Sequence, residues 1–108
     1  MKRICIKILS GLALAVLIVS CTSKELNKSL IITGQQEHNW KVSSSVLKQI
    51  LDNTGLFSTE ILITPEKGAD MTRFDPDFSR YKLVLIDYYG DAWPEKVRTA
   101  FVDYVRNG

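Results

Sequence analysis

Ser29-Leu30-Ile31-Ile32-Thr33-Gly34 is a short, unbroken apolar run closed by glycine. A run of this length without polar alternation suits a strand covered on both faces, as in a parallel sheet. Downstream, Val42, Val46, Leu47, Ile50 and Leu51 recur at helical spacing, and Asn53-Thr54-Gly55 supplies the stop. Glu60-Ile61-Leu62-Ile63-Thr64 is a second strand-like run, ended by Pro65. Lys82-Leu83-Val84-Leu85-Ile86-Asp87 is a third, and the most apolar. Pro94 suits the first turn of a second helix. Its buried face is expected to carry Val97, Ala100, Phe101, Tyr104 and Val105 before Asn107-Gly108. The order β-α-β-loop-β-α predicts an α/β domain with a parallel sheet and flanking helices. The loop from Pro65 to Tyr81 spans 17 residues, long for a connection with no structure of its own. A turn of helix is expected near Asp75-Pro76-Asp77-Phe78.

Upstream of the first strand the chain has another character. Lys2-Arg3-Ile4-Cys5-Ile6-Lys7 is basic, and the 16 residues from Ile8 to Ser23 carry no charge. A bilayer-spanning helix needs about 20 apolar residues, so the length suits a signal-peptide core. Ile18-Val19-Ser20-Cys21 resembles the bacterial lipobox, which implies cleavage before Cys21 and acylation of its sulfur. Residues 1–20 are then a lipoprotein signal, 21–28 a polar tether and 29–108 the folded part, held at the membrane of the cell envelope. Removing Lys2, Arg3 and Lys7 from the 14 basic residues leaves 11 against 12 acidic ones, a net charge of −1. No basic patch argues for nucleic acid. The two cysteines, Cys5 and Cys21, provide neither a disulfide framework nor a cysteine zinc site.

Three parallel strands with two helices leave sheet and helix surface uncovered, and the sequence stops where a helix should turn into a further strand. The expectation is therefore the N-terminal part of a larger domain, with an apolar third-strand edge prone to aggregation.

In doubly wound sheets ligands bind beyond the C-terminal strand ends, where strand order reverses. For an order of 2-1-3 that point lies between strands one and three. The loops there are Gly34-Gln35-Gln36-Glu37-His38-Asn39-Trp40 and Tyr88-Tyr89-Gly90-Asp91-Ala92-Trp93. His38, the single histidine, is the candidate for proton transfer or metal ligation. Asp91 has two readings, a catalytic carboxylate or a cap for the helix near Pro94. Asn39 is a ligand contact or a cap for the helix near Lys41. Trp40 and Trp93 are sugar-stacking platforms or core plugs, with the plug favoured for at least one. Gly34 and Gly90 supply permissive backbone at turns. No Gly-x-Gly-x-x-Gly run, Walker motif or Gly-x-Ser-x-Gly elbow occurs, so those nucleotide and hydrolase chemistries are not indicated.

Five segments together resemble the ThuA-like (trehalose-utilisation) family: 30–41, 64–71, 74–81, 87–94 and 101–108. The resemblance implies a flavodoxin-like fold of the class I glutamine amidotransferase-like superfamily, about twice the length of this domain. Amidotransfer itself is not implied, and the mature chain has no free cysteine to support it. The resemblance implies a role in disaccharide or keto-sugar metabolism, with a divalent metal near the histidines in some members. By position, His38, Asn39 and Trp40 match the first-loop motif, and Gly90, Asp91 and Trp93 the second. The leading expectation is a lipid-anchored envelope protein acting on carbohydrate; the alternative is a non-catalytic carbohydrate-binding module.

Overall fold

The computed structural model describes residues 23–108; the signal segment and Cys21 lie outside that range. Three parallel strands, β1 (Asn27–Gly34), β2 (Phe57–Ile63) and β3 (Leu83–Tyr88), form one sheet in the order β2-β1-β3. Helix α1 (Trp40–Asn53) connects the first two strands, and α2 (Glu95–Arg106) follows the third. This is the expected α/β architecture with flanking helices, and the sheet is open rather than closed into a barrel. The strand order reverses at β1, the central strand.

Pairing explains why the strands begin earlier than the apolar runs suggest. Asn27 aligns with Phe57, and Ser29 with both Thr59 and Leu83. The polar strand starts are held by the ladder and by buried contacts rather than by hydrophobicity. Ser29 and Thr59, both buried, share a hydroxyl–hydroxyl hydrogen bond of 2.8 Å.

The two faces of β1 differ. Leu30 and Ile32 point into a core with Val97 of α2 and three residues of the long loop, Phe74, Phe78 and Tyr81. That loop was expected to be mostly irregular, with one turn of helix. Its turn is a 3-10 segment at Phe78–Arg80, a few residues later than anticipated. Asp77 initiates it by accepting the Ser79 backbone N–H at 3.1 Å, the Asx-turn role of a short carboxylate. The loop thus covers the sheet where a helix would otherwise lie. Edge-on aromatic packing of Phe78 on Phe101 (centroids 5.3 Å apart) locks it to α2.

The opposite face of β1 carries Ser29, Ile31 and Thr33, and α1 lies over it with Ser44 buried and Leu47, Lys48 and Leu51 half-buried. This corrects the expected helix stripe. Val42, Val46 and Ile50 are 55%, 47% and 58% exposed, because the helix turns Ser44, Leu47, Lys48 and Leu51 toward the sheet instead. On α2, Val97 is buried and Phe101 and Tyr104 half-buried, but Ala100 and Val105 face outward.

Among the described residues β3 pairs only with β1, and Ile86 of β3 and Val102 and Val105 of α2 are exposed large apolar residues. Residues 23–108 prepared in isolation are therefore expected to bind a hydrophobic dye at neutral pH, since open strand edges and apolar patches recruit partners. Dye fluorescence no higher than that of a well-packed control domain would contradict the exposure of this surface.

Candidate functional site

The C-terminal ends of β1 and β3 meet the start of α1, and their side chains converge on one carboxylate, Asp87. It is the next-to-last residue of β3 and aligns with Thr33 of β1. Strand alternation turns it toward the α1 face. Asp87 Oδ2 accepts from Ser43 Oγ at 2.7 Å and from Thr33 Oγ1 at 3.3 Å. Its Oδ1 accepts from Gln36 Nε2 at 2.9 Å, and the same amide also donates to the Asp87 backbone carbonyl. His38 Nε2 stands 3.7 Å from Asp87 Oδ1 and 3.4 Å from Ser43 Oγ.

The Asp87 side chain is 13% exposed whereas that of His38 is 54% exposed. The pair therefore has an inner anionic member and an outer imidazole open to solvent. Burial pushes the Asp87 carboxyl upward, but the hydrogen bonds from Ser43, Gln36 and Thr33, with the His38 charge, outweigh it. The net result lies below the ordinary carboxylate value. Asp87 thus stays ionised at neutral pH, an anion 3.7 Å from the His38 imidazole.

Asp87 was read in the sequence only as the end of a strand, and Ser43 not at all. The available signal was positional: Thr33 and Asp87 are polar residues closing two apolar runs at the strand-order reversal, where such sheets place ligands.

Asp91 sits elsewhere. Its Oδ2 accepts from the Gly68 backbone N–H at 2.6 Å, and its carbonyl accepts from the Tyr88 hydroxyl at 2.7 Å. The carboxylate beside His38 is therefore Asp87 rather than Asp91. Nor does Asp91 cap α2, whose N-cap position is Pro94, with the Pro94 carbonyl accepting from Val97 and Arg98.

Gln35 ties three loops together. It holds a left-handed backbone at φ 59°, unusual for a residue with a Cβ. Its amide donates to the Pro65 carbonyl at 2.7 Å and accepts from the Asp91 N–H at 2.8 Å. Gly90 lies against it. A Cβ there would overlap the Gln35 amide and approach the Gln35 Cβ at 2.6 Å. Gly90 is needed for this close approach rather than for a turn with positive φ. Gly34 does carry a positive φ, 129°.

Trp93 is a core residue. Its ring packs on Phe74, Tyr88 and Phe101 with centroids 5.4–5.9 Å apart, and its Nε1 is buried without a partner. The sugar-platform reading therefore falls on Trp40 alone, half-buried at the first residue of α1, with Lys41 Nζ 5.6 Å from its ring centroid. Asn39 precedes α1 without a side-chain cap. Its carbonyl accepts from Val42 and Ser43, and its side chain is exposed beside His38.

The described residues do not by themselves fit a metal ion. No group of three or more His, Cys, Asp and Glu side chains converges among them, and both Asp87 oxygens are already engaged by hydroxyl and amide donors. Nor is any described helix long and apolar enough to cross a membrane.

The open, doubly wound α/β sheet with polar residues gathered at its strand-order reversal defines the class of protein. No family model and no curated relative matches the chain. A crystal structure of a protein from Parabacteroides merdae, described as ThuA-like, is 54% identical to it with a TM-score of 0.75. The match covers 78% of this chain and 30% of that one, so the chain spans less than a third of that relative's length. The chain belongs to the ThuA-like family.

Proposed function

We propose that this is a lipid-anchored protein of the bacterial cell envelope whose ThuA-like domain acts on carbohydrate, a disaccharide or keto-sugar. The reading is carried by one observation: an exposed imidazole, His38, backed by a half-buried ionised carboxylate, Asp87, at the strand-order reversal. A sugar offers hydroxyl groups for hydrogen bonding and an apolar ring face for stacking. Asn39 and Trp40 flank the imidazole with an amide and an indole suited to each.

In this reading His38 transfers the proton at a sugar hydroxyl or carbonyl-bearing carbon. Asp87 holds the imidazolium as it forms, and Ser43, Thr33 and Gln36 keep the carboxylate oriented. General acid–base transfer of this kind contributes about 10²–10⁴-fold to a rate.

The test is to incubate the full-length protein, with and without His38→Ala, with native and oxidised disaccharides, following products by mass spectrometry and binding by calorimetry. Turnover that falls about 100-fold or more in the variant supports the catalytic role. Binding without product supports the carbohydrate-binding module instead. Equal turnover in both proteins removes His38 from the mechanism.

A further inference from the structure

The end of the sheet opposite the site has its own composition. The strand register sets the three starts side by side, Asn27 against Phe57 and Ser29 against Leu83. Two leucines project from this rim just ahead of their strands, Leu26 at 44% and Leu56 at 47% exposure. They are neighbours across the sheet, since the Asn27 N–H donates to the Leu56 carbonyl at 3.1 Å. Lys24, Lys28 and Lys82 are exposed around them, Lys28 paired with Glu60 at 3.3 Å, with the acidic Glu25 on the same rim.

We propose that this rim rests on an anionic phospholipid surface and that the site faces away from the membrane. The inference rests on the lipid-anchored reading and adds an orientation to it. Five residues separate Cys21 from Asn27, six Cα steps with a reach of at most about 20 Å. The tether therefore enters at the strand-start end of β1 and holds that end close to the lipid. The eight residues of β1 rise about 23 Å between the rim and the site, leaving His38 open to ligands from the aqueous side. The leucines enter the headgroup region and the lysines meet lipid phosphates, the arrangement that favours interfacial binding.

Processing leaves Cys21 as the only cysteine and acylates it, so an introduced cysteine is the unique free thiol. In the full-length acylated protein, reconstituted in vesicles containing anionic lipid, a donor dye is placed at Asn53→Cys on the rim side or Tyr89→Cys on the site side. An acceptor is carried by the lipid headgroups. Energy transfer is expected to be about twofold or more higher from position 53, given the strand rise between the ends. Leu26→Ser with Leu56→Ser, or a flexible Gly/Ser insertion after Ser23, should narrow that difference.

Equal transfer from both positions, or a difference indifferent to the leucines and the insertion, overturns the orientation. Failure of the anchor itself reads out separately: radiolabelled palmitate would be absent from the unmodified chain. Label retained in Cys21→Ser would likewise show that Cys21 is not the anchor.

Discussion

Gly34→Ala is expected to destabilise the protein by about 3 kcal/mol or more. Two independent costs meet at this position. The backbone φ of 129° is one that L side chains rarely adopt, and an added Cβ would overlap the Thr64 hydroxyl and stand 3.4 Å from the Thr64 nitrogen. Thr64 cannot retreat freely, because its N–H donates to the Thr33 carbonyl at 2.9 Å and its side chain is buried. The consequence reaches the site, since Gly34 leads directly into Gln35 and the His38 loop. Urea denaturation would show the loss as a lowered midpoint with an unchanged slope. Adding Thr64→Ala should restore part of the stability by removing the overlap while leaving the φ strain. A Gly34→Ala protein within about 1 kcal/mol of the parent would mean that the Gly34 and Thr64 segments do not approach this closely.

Asp87→Ala is expected to cost about 2–3 kcal/mol, because it removes the shared carboxylate acceptor of Ser43, Thr33 and Gln36. Thr33 is fully buried, so its hydroxyl has no water to turn to. Asp87→Asn keeps the shape and should cost less at neutral pH, but it removes the charge that holds an imidazolium. If the chain acts on carbohydrate as proposed, turnover should therefore fall in both variants even where Asn preserves the fold.

The same carboxylate supplies an acid dependence of known sign. Its folded value lies below 3.8, the ordinary one for the side chain. As pH falls, the unfolded chain takes up the proton first. The stabilisation is thus fully present well above pH 3.8 and is lost as pH drops through the folded value. The stability gap between the parent and Asp87→Asn should shrink between about pH 5 and pH 3. Asp52 and Glu60, which are also lowered, by Lys48 and by Tyr81 and Lys28 in the main, titrate alike in both proteins and cancel in the comparison. A gap that is constant or widens toward acid would show that Asp87 is not the stabilised anion described here.

Much of the fold was legible because its signals are local. An apolar run ending in glycine marks β1, and a 3.6-residue recurrence ending at Asn53-Thr54-Gly55 marks α1. The long loop and its helical turn were visible from Asp75 to Phe78, although the turn begins at Phe78 itself. The site was legible to the level of the loop. His38 and its neighbours stand at the strand-order reversal, as the topology rule for such sheets requires.

The residues that complete the site were not legible, for a physical reason. Asp87 meets Ser43 across 44 positions and Thr33 across 54, and no spacing pattern encodes contacts of that separation. The choice between Asp91 and Asp87 as the carboxylate beside His38 was likewise settled by side-chain direction. Strand alternation turns Asp87 to the α1 face, whereas the next loop carries Asp91 to Gly68. Trp93 became core because Phe74, delivered by the long loop, packs beside it. The outward ridge of Val42, Val46 and Ile50 arose because α1 turns Ser44, Leu47 and Leu51 toward the sheet instead. The sequence by itself determined element order, strand polarity and the placement of the His38 loop, all consequences of hydrophobic period and chain connectivity. Only the tertiary structure decided which polar groups meet and which apolar faces are covered, because those outcomes depend on packing between segments far apart in the chain.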